Sequence, residues 1–133
     1  MKNNKWFENK SSRKIGILGE NIACSFLADK GFLILKRNQR QNPGEIDIIG
    51  KSKDRVLVFF EVKTLYKREG DAHLLNPENN LTAKKIKDLK KACQSFILDN
   101  KKLMDHKRGW RIDLIAISIY EEKFILNHYK NIY

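Results

Sequence analysis

Gly44-Glu45-Ile46-Asp47-Ile48-Ile49-Gly50, a polar break, then Val56-Leu57-Val58-Phe59-Phe60-Glu61-Val62-Lys63 is the stretch whose reading decides the fold. It reads as a β-hairpin with Lys51 to Asp54 as its loop. The second strand is apolar on both faces until its end, where Glu61 and Lys63 stand two residues apart and so share a face, while Val62 points the other way into the core. An exposed strand would not carry five apolar residues in a row, so the hairpin belongs in the middle of a sheet. Asp47, Glu61 and Lys63 at the end of a buried hairpin are costly to desolvate unless they bind something, most simply a metal ion and a phosphate. For them to converge, Asp47 must lie opposite Glu61, which puts the turn centre near Asp54. The Val62 backbone carbonyl, between the two charged side chains, is a further candidate metal ligand.

The flanking chain supplies the other layers. From Ser11 or Ser12, good N-caps, apolar Ile15, Leu18, Ile22, Ala23, Phe26 and Leu27 recur at the spacing of one helical face, and Gly31 provides the left-handed stop. Gly16 and Gly19 weaken this helix relative to alanine, which points to close packing against them. Glu20 falls at the margin of the apolar stripe, and by position alone it reads as a solvated carboxylate or as one leaning toward the cleft. Phe32 to Leu35 reads as a first strand, Lys36 to Asn42 as a basic strand end and connection, and Pro43-Gly44 as a turn. Leu65 to Leu81 reads as a long polar loop, of a length that is either functional or disordered, and leaving from the charged strand end it could cover a substrate. Leu81-Thr82 reads as staple and N-cap of a second helix, with Ile86, Leu89, Cys93, Phe96 and Ile97 on its apolar face and Lys84, Lys85, Lys87, Lys90 and Lys91 on the other. That basic face is either a phosphate-binding surface or a solvated side. Trp110 to Tyr120 reads as a central strand, Glu121-Glu122 as a turn, and Phe124-Ile125-Leu126 as an edge strand.

A helix, three strands, a second helix and two strands imply an α/β sandwich around a mixed sheet, the second hairpin strand pairing in parallel with the Trp110 strand through a right-handed crossover. The 133 residues suit a single domain, 11–133, preceded by a loose polar arm, 1–10. The net charge of +11 favours polyanionic partners, nucleic acid first among them, although lysine-rich composition accounts for part of it. No apolar run approaches the roughly 20 residues of a membrane helix, and Met1 to Lys14 lacks the apolar core of a secretory signal, so a cytoplasmic protein away from membranes is expected. Cys24 and Cys93 are far apart, outside any ligand motif, and read as reduced thiols in helices. His73, His106 and His128 read as surface residues.

The blocks Gly19-Glu20-Asn21-Ile22-Ala23, Gly31-Phe32-Leu33-Ile34-Leu35, Arg37-Asn38, Gly44-Glu45-Ile46-Asp47-Ile48-Ile49, Phe60-Glu61-Val62-Lys63-Thr64 and Arg111-Ile112-Asp113-Leu114-Ile115-Ala116 resemble, in order, those of the YraN family of predicted endonucleases within the PD-(D/E)XK nuclease superfamily. The resemblance covers nearly the whole domain. It departs from the superfamily pattern in having Ile46 rather than proline before Asp47. It implies a restriction endonuclease-like α/β sandwich, a central mixed sheet flanked by helices. It further implies that Asp47 and Glu61 bind Mg²⁺ or Mn²⁺ and that Lys63 acts beside the attacking water. By similarity to Holliday junction resolvases it implies that Glu20 joins the metal site. The expected activity is a Mg²⁺-dependent endonuclease acting on DNA, including branched DNA. The alternatives are a non-catalytic nucleic-acid-binding module of the same fold and an interaction subunit pairing through the Phe124 edge, as in a homodimer.

Overall fold

One five-stranded sheet, in the order β1-β2-β3-β4-β5, runs through the molecule: β1 (Leu33–Gln41), β2 (Gly44–Lys51), β3 (Leu57–Lys67), β4 (Trp110–Tyr120) and β5 (Lys123–Tyr129). Helices α1 (Ser12–Asp29) and α2 (Ala83–Asp99) cover its two faces. The computed structural model describes residues 12–67 and 81–133. The expected arm, with any cap at residue 11, and most of the expected 65–81 loop lie outside the described residues, as does His73.

The architecture is the expected α/β sandwich. Strands β1, β2 and β3 form antiparallel pairs, β3 and β4 pair in parallel from Leu57↔Trp110 to Lys67↔Tyr120, and β5 returns antiparallel along β4. The hairpin register is Lys51↔Leu57 to Ile48↔Phe60, whose continuation sets Asp47 opposite Glu61. Its connection, Ser52 to Val56, is a hydrogen-bonded turn: the Ser52 and Arg55 amides donate to the Val56 and Ser52 carbonyls at 2.9 Å, and the Val56 amide to Ser52 Oγ at 3.0 Å.

The uninterrupted apolar run of β3 is explained by its position: alternate side chains feed two cores. Val58 and Phe60 join Ala23, Leu27, Ile48, Ile115 and Ile117 under α1, whereas Leu57 and Phe59 join Ile46, Ile49, Leu89, Ala92, Cys93, Phe96 and Ile112 under α2. All but Leu89, 6% exposed, are fully buried. Truncating Phe59 or Phe60 to alanine would forfeit about 3–5 kcal/mol. The Thr82 hydroxyl accepts from the Lys85 amide at 3.2 Å, the expected cap of α2. Gly31 has φ +94° and terminates the turn after α1. Among the described residues, no helix is long and apolar enough to cross a membrane.

Three expectations are corrected. The first strand does not stop at Leu35; it continues through the polar Lys36-Gln41 segment as an edge strand, and the two-residue turn is Asn42-Pro43, joined by a cis bond, with Gly44 already in β2. An edge strand with one solvated face needs no apolar alternation, so its sequence resembles a connection. Leu65 to Lys67 belong to β3 rather than to a loop, held by the β4 ladder. His128 is not a surface residue: its ring stands 5.9 Å from that of Phe60 and 6.2 Å from those of Phe26 and Phe32. His106 is exposed as expected. Cys93 is buried, Cys24 half-buried, and neither is in a disulfide.

Candidate active site

The site forms where the central hairpin comes apart. Pairing between β2 and β3 ends at Ile48↔Phe60, although β2 stays paired with β1 as far as Gly44 and β3 with β4 as far as Lys67. Strand alternation slips at the same point: Ile46 and Ile49, three residues apart, both face the α2 core, and Ile48 faces the α1 core. Asp47 lies in this fork. Its Oδ2 accepts a hydrogen bond of 2.8 Å from the Val62 amide, standing in for the strand carbonyl that the ladder no longer supplies. Within a strand, a residue's N–H and C=O leave toward the same edge, so the Val62 carbonyl is directed to the Asp47 side.

Glu61 and Lys63 share a face as the period-2 reading requires, with Lys63 Nζ 3.4 Å from Glu61 Oε1. Their side chains are 17% and 23% exposed, which places the pair at the wall of an opening rather than in bulk solvent. Burial, reinforced by the Glu61 charge, pushes the Asp47 carboxyl up to about 8 against the opposing effects of the Val62 amide and Lys63. Burial also raises Glu61, with Lys63 and Lys85 pulling the other way. Two carboxyls that oppose each other's ionisation, against the pull of Lys63 and Lys85, form a site short of positive charge.

Glu20 reaches the same end of the sheet from α1. That approach depends on Gly19: a Cβ there would collide with the Thr64 side chain on β3, whereas one on Gly16 would meet nothing. The close-packing expectation therefore holds for Gly19 and fails for Gly16. The Thr64 hydroxyl beneath Gly19 is buried without a hydrogen-bond partner among the described residues. Burial raises the Glu20 carboxyl against the pull of Arg37, whose guanidinium is 3.8 Å from Glu20 Oε1 and donates to Asn21 Oδ1 at 2.8 Å. The Glu20 charge adds to the upward shifts of Asp47 and Glu61.

The donor set suits a hard divalent cation: Asp47, Glu61 and the Val62 carbonyl supply oxygen only, and Mg²⁺ commonly takes one or two carboxylates and retains water. Among the described residues, no three His, Cys, Asp or Glu side chains stand close enough to enclose an ion. Asp47 feels the Glu61 charge more strongly than that of Glu20, which has the Arg37 guanidinium 3.8 Å away. Arg37 and Lys85 were not singled out as site residues by sequence reasoning. Lys85 was legible as part of a basic helix face and Arg37 as part of a basic strand end, but neither pattern says which cation turns toward the carboxylates.

A model of "Uncharacterised protein family UPF0102" matches residues 19–117, a span that includes Glu20, Asp47, Glu61 and Lys63. Relatives of that family include a UPF0102 protein of Alkaliphilus oremlandii, 33% identical over 90% of this chain and 97% of its own length, and one of Chloroherpeton thalassium, 40% identical over 81% and 78%. A Clostridium botulinum relative is 35% identical over 90% of this chain and 96% of its own. Among solved structures, the crystal structure of a repair endonuclease from Pyrococcus abyssi is similar at 15% identity with a TM-score of 0.41, over 77% of this chain and 38% of that one. With a family model spanning most of its length and full-length relatives above 30% identity, the chain belongs to the UPF0102 family, also called YraN.

Proposed function

We propose that this protein is a divalent-metal-dependent endonuclease that hydrolyses nucleic-acid phosphodiesters, DNA foremost, at Asp47, Glu61 and Lys63. The observation that carries this reading is the pair of half-buried, mutually repelling carboxylates in the hairpin fork, with a lysine 3.4 Å from one of them. Mg²⁺ or Mn²⁺ bound there would supply Lewis-acid activation of water and of the phosphoryl group. The chain's own contributions are separate. The Val62 amide fixes Asp47, Lys63 provides a fixed cation for charge developing on the phosphoryl oxygens, and Arg37 restrains Glu20. The exposed lysines of α2 and the net charge of +11 would hold the phosphate backbone with little base readout.

The test is a cleavage panel of linear, single-stranded, flapped and four-way DNA in Mg²⁺ and in Mn²⁺. Asp47→Asn and Lys63→Ala, purified in parallel, control for contaminants. Cleavage that needs the metal and falls by about 10²-fold or more in both variants is expected. No cleavage of any substrate, or equal activity in the variants, would overturn the assignment. The competing reading, a non-catalytic binding module, draws on the Glu61–Lys63 ion pair as a purely structural contact. It requires salt-sensitive DNA binding that is indifferent to Mg²⁺ and survives Glu61→Gln.

A further inference from the structure

A second polar assembly lies under α1, on the sheet face opposite to Glu61 and Lys63. Its centre is Asp113, which is fully buried. Oδ1 accepts from Arg111 Nε at 2.9 Å and from the Asn131 amide at 3.0 Å, and Oδ2 lies 2.8 Å from His128 Nε2. The Asp113 carboxylate can only accept, so Nε2 carries the proton in that contact. Arg111 retains its terminal Nη groups and His128 its Nδ1 beyond these bonds. Both residues line a cavity of about 400 Å³, within the size range of small-molecule sites.

The remaining walls are cationic and aromatic. Lys30, Lys53, Lys130, Phe26 and Phe32 line the cavity, with Lys30 Nζ 5.6 Å from the centre of the Phe26 ring. The end of the Lys53 side chain lies over Gly31, and its backbone sits in the hydrogen-bonded Ser52 to Val56 turn. Against these cations stand Asp54 on the wall and Asp113 behind, already engaged by Arg111 and His128. In the last turn of α1 the carbonyls of Phe26, Leu27 and Ala28, which would repel an anion, accept from the amides of Lys30, Gly31 and Phe32 at 3.0–3.1 Å.

We propose that this cavity is a binding site for a nucleoside 5′-phosphate, with the phosphate held by Arg111, Lys53 and Lys130 and the base against Phe26 and Phe32. A guanidinium positioned by a buried carboxylate is suited to forked recognition of phosphate, and the two lysines add point charge. The phosphate has two sources, a free mononucleotide or the 5′-terminal nucleotide of a strand. The site lies on the opposite face from the proposed hydrolytic centre and does not depend on that activity.

The experiment is done on the full chain at low salt with excess chelator, so that hydrolysis plays no part. Inorganic phosphate, adenosine 5′-monophosphate, adenosine, and a short oligonucleotide with either a 5′-phosphate or a 5′-hydroxyl are titrated by calorimetry. The His128 ring nitrogens are followed in ¹⁵N spectra. Expected results are a shift of the His128 resonances with the monophosphate, binding at least about tenfold tighter than adenosine, and a loss of at least about tenfold in the Lys53→Glu/Lys130→Glu variant. Melting of that variant without ligand, and the milder Lys130→Ala, separate lost binding from lost folding. Tighter binding of the 5′-phosphorylated oligonucleotide than of the monophosphate identifies a strand end as the source, and the reverse identifies a free nucleotide. His128 signals unmoved at about 10 mM phosphate and monophosphate, or equal affinity in the double variant, would reduce the assembly to a structural ion-pair set and overturn the proposal.

Discussion

Two carboxylates, the half-buried Asp47 and the fully buried Asp113, sit in the same sheet in opposite electrostatic conditions. Asp113 receives hydrogen bonds from two side chains and a backbone amide, and these outweigh the upward effect of burial to hold its carboxyl below the usual aspartate range. Asp47 receives one amide hydrogen bond and faces a second carboxylate, so burial and repulsion hold it far above that range. A carboxylate whose oxygens are all answered stabilises its surroundings; one left short of positive charge costs stability and gains the capacity to bind a cation. The difference separates a carboxylate that positions its cationic neighbours from one that is itself a candidate for binding a cation, without reference to sequence motifs.

The largest expected effect comes from removing the satisfied carboxylate. Asp113→Ala strands the Arg111 guanidinium and His128 in a largely buried setting and is expected to cost about 3–5 kcal/mol in urea unfolding. Asp47→Asn keeps an oxygen for the Val62 amide and relieves the repulsion with Glu61, so the metal-free protein is expected to gain roughly 1–2 kcal/mol while losing activity. A loss of stability in both variants would erase the distinction between the two sites.

The pH dependence sharpens it further. Asp113 has a folded pKa below its unfolded value, so its stabilisation is present above the unfolded value of 3.8 and is lost as pH falls through the folded one. Asp47 is raised, so its contribution is fully present below 3.8 and is lost as pH rises toward about 8. Asp113→Asn should therefore remove part of the acid-side decline in melting temperature, and Asp47→Asn part of the decline between about pH 4 and 8 in chelator. Saturating Mg²⁺ is expected to remove that same decline in the unaltered chain. Melting curves across pH that change on the wrong side in either variant would contradict the assignment.

The smallest effects concern the helix that brings Glu20 to the fork. Gly19→Ala drives a methyl into Thr64 and is expected to destabilise by about 1–3 kcal/mol. Gly16→Ala, three residues away in open space, should stabilise by about 0.5–1 kcal/mol. Equal effects, measured by denaturant midpoint, would mean that close packing at the Glu20 end does not depend on Gly19.

The sequence made the central elements readable because their physics is local or strongly patterned. The apolar run Leu57 to Phe60 could only be a central strand, and its polar turn fixed the register that continues to Asp47 opposite Glu61. The β-prone run from Trp110 to Tyr120 was recoverable with its boundaries. Polar β1 was not, because an edge strand is held by backbone pairing with β2 rather than by buried side chains. The His128 contact with Asp113 depends on β5 folding back along β4, a relation between residues 15 apart that no spacing rule encodes. The difference between Gly16 and Gly19 depends on where Thr64 lies across the fold.

The parallel ladder of β3 and β4 has a consequence for how the protein is made. Its partners are 53 positions apart throughout, whereas Lys51 and Leu57 in the hairpin are 6 positions apart. The hairpin can therefore form while the far edge of β3, with its unpaired amides and carbonyls and its phenylalanines, still awaits a strand not yet synthesised. Until α2 has packed and β4 has docked, the strand that carries Glu61 and Lys63 is also the chain's most exposed template for unwanted pairing, and a chain ending before Trp110 should scatter light as an aggregate rather than remain a monomer with an incomplete sheet.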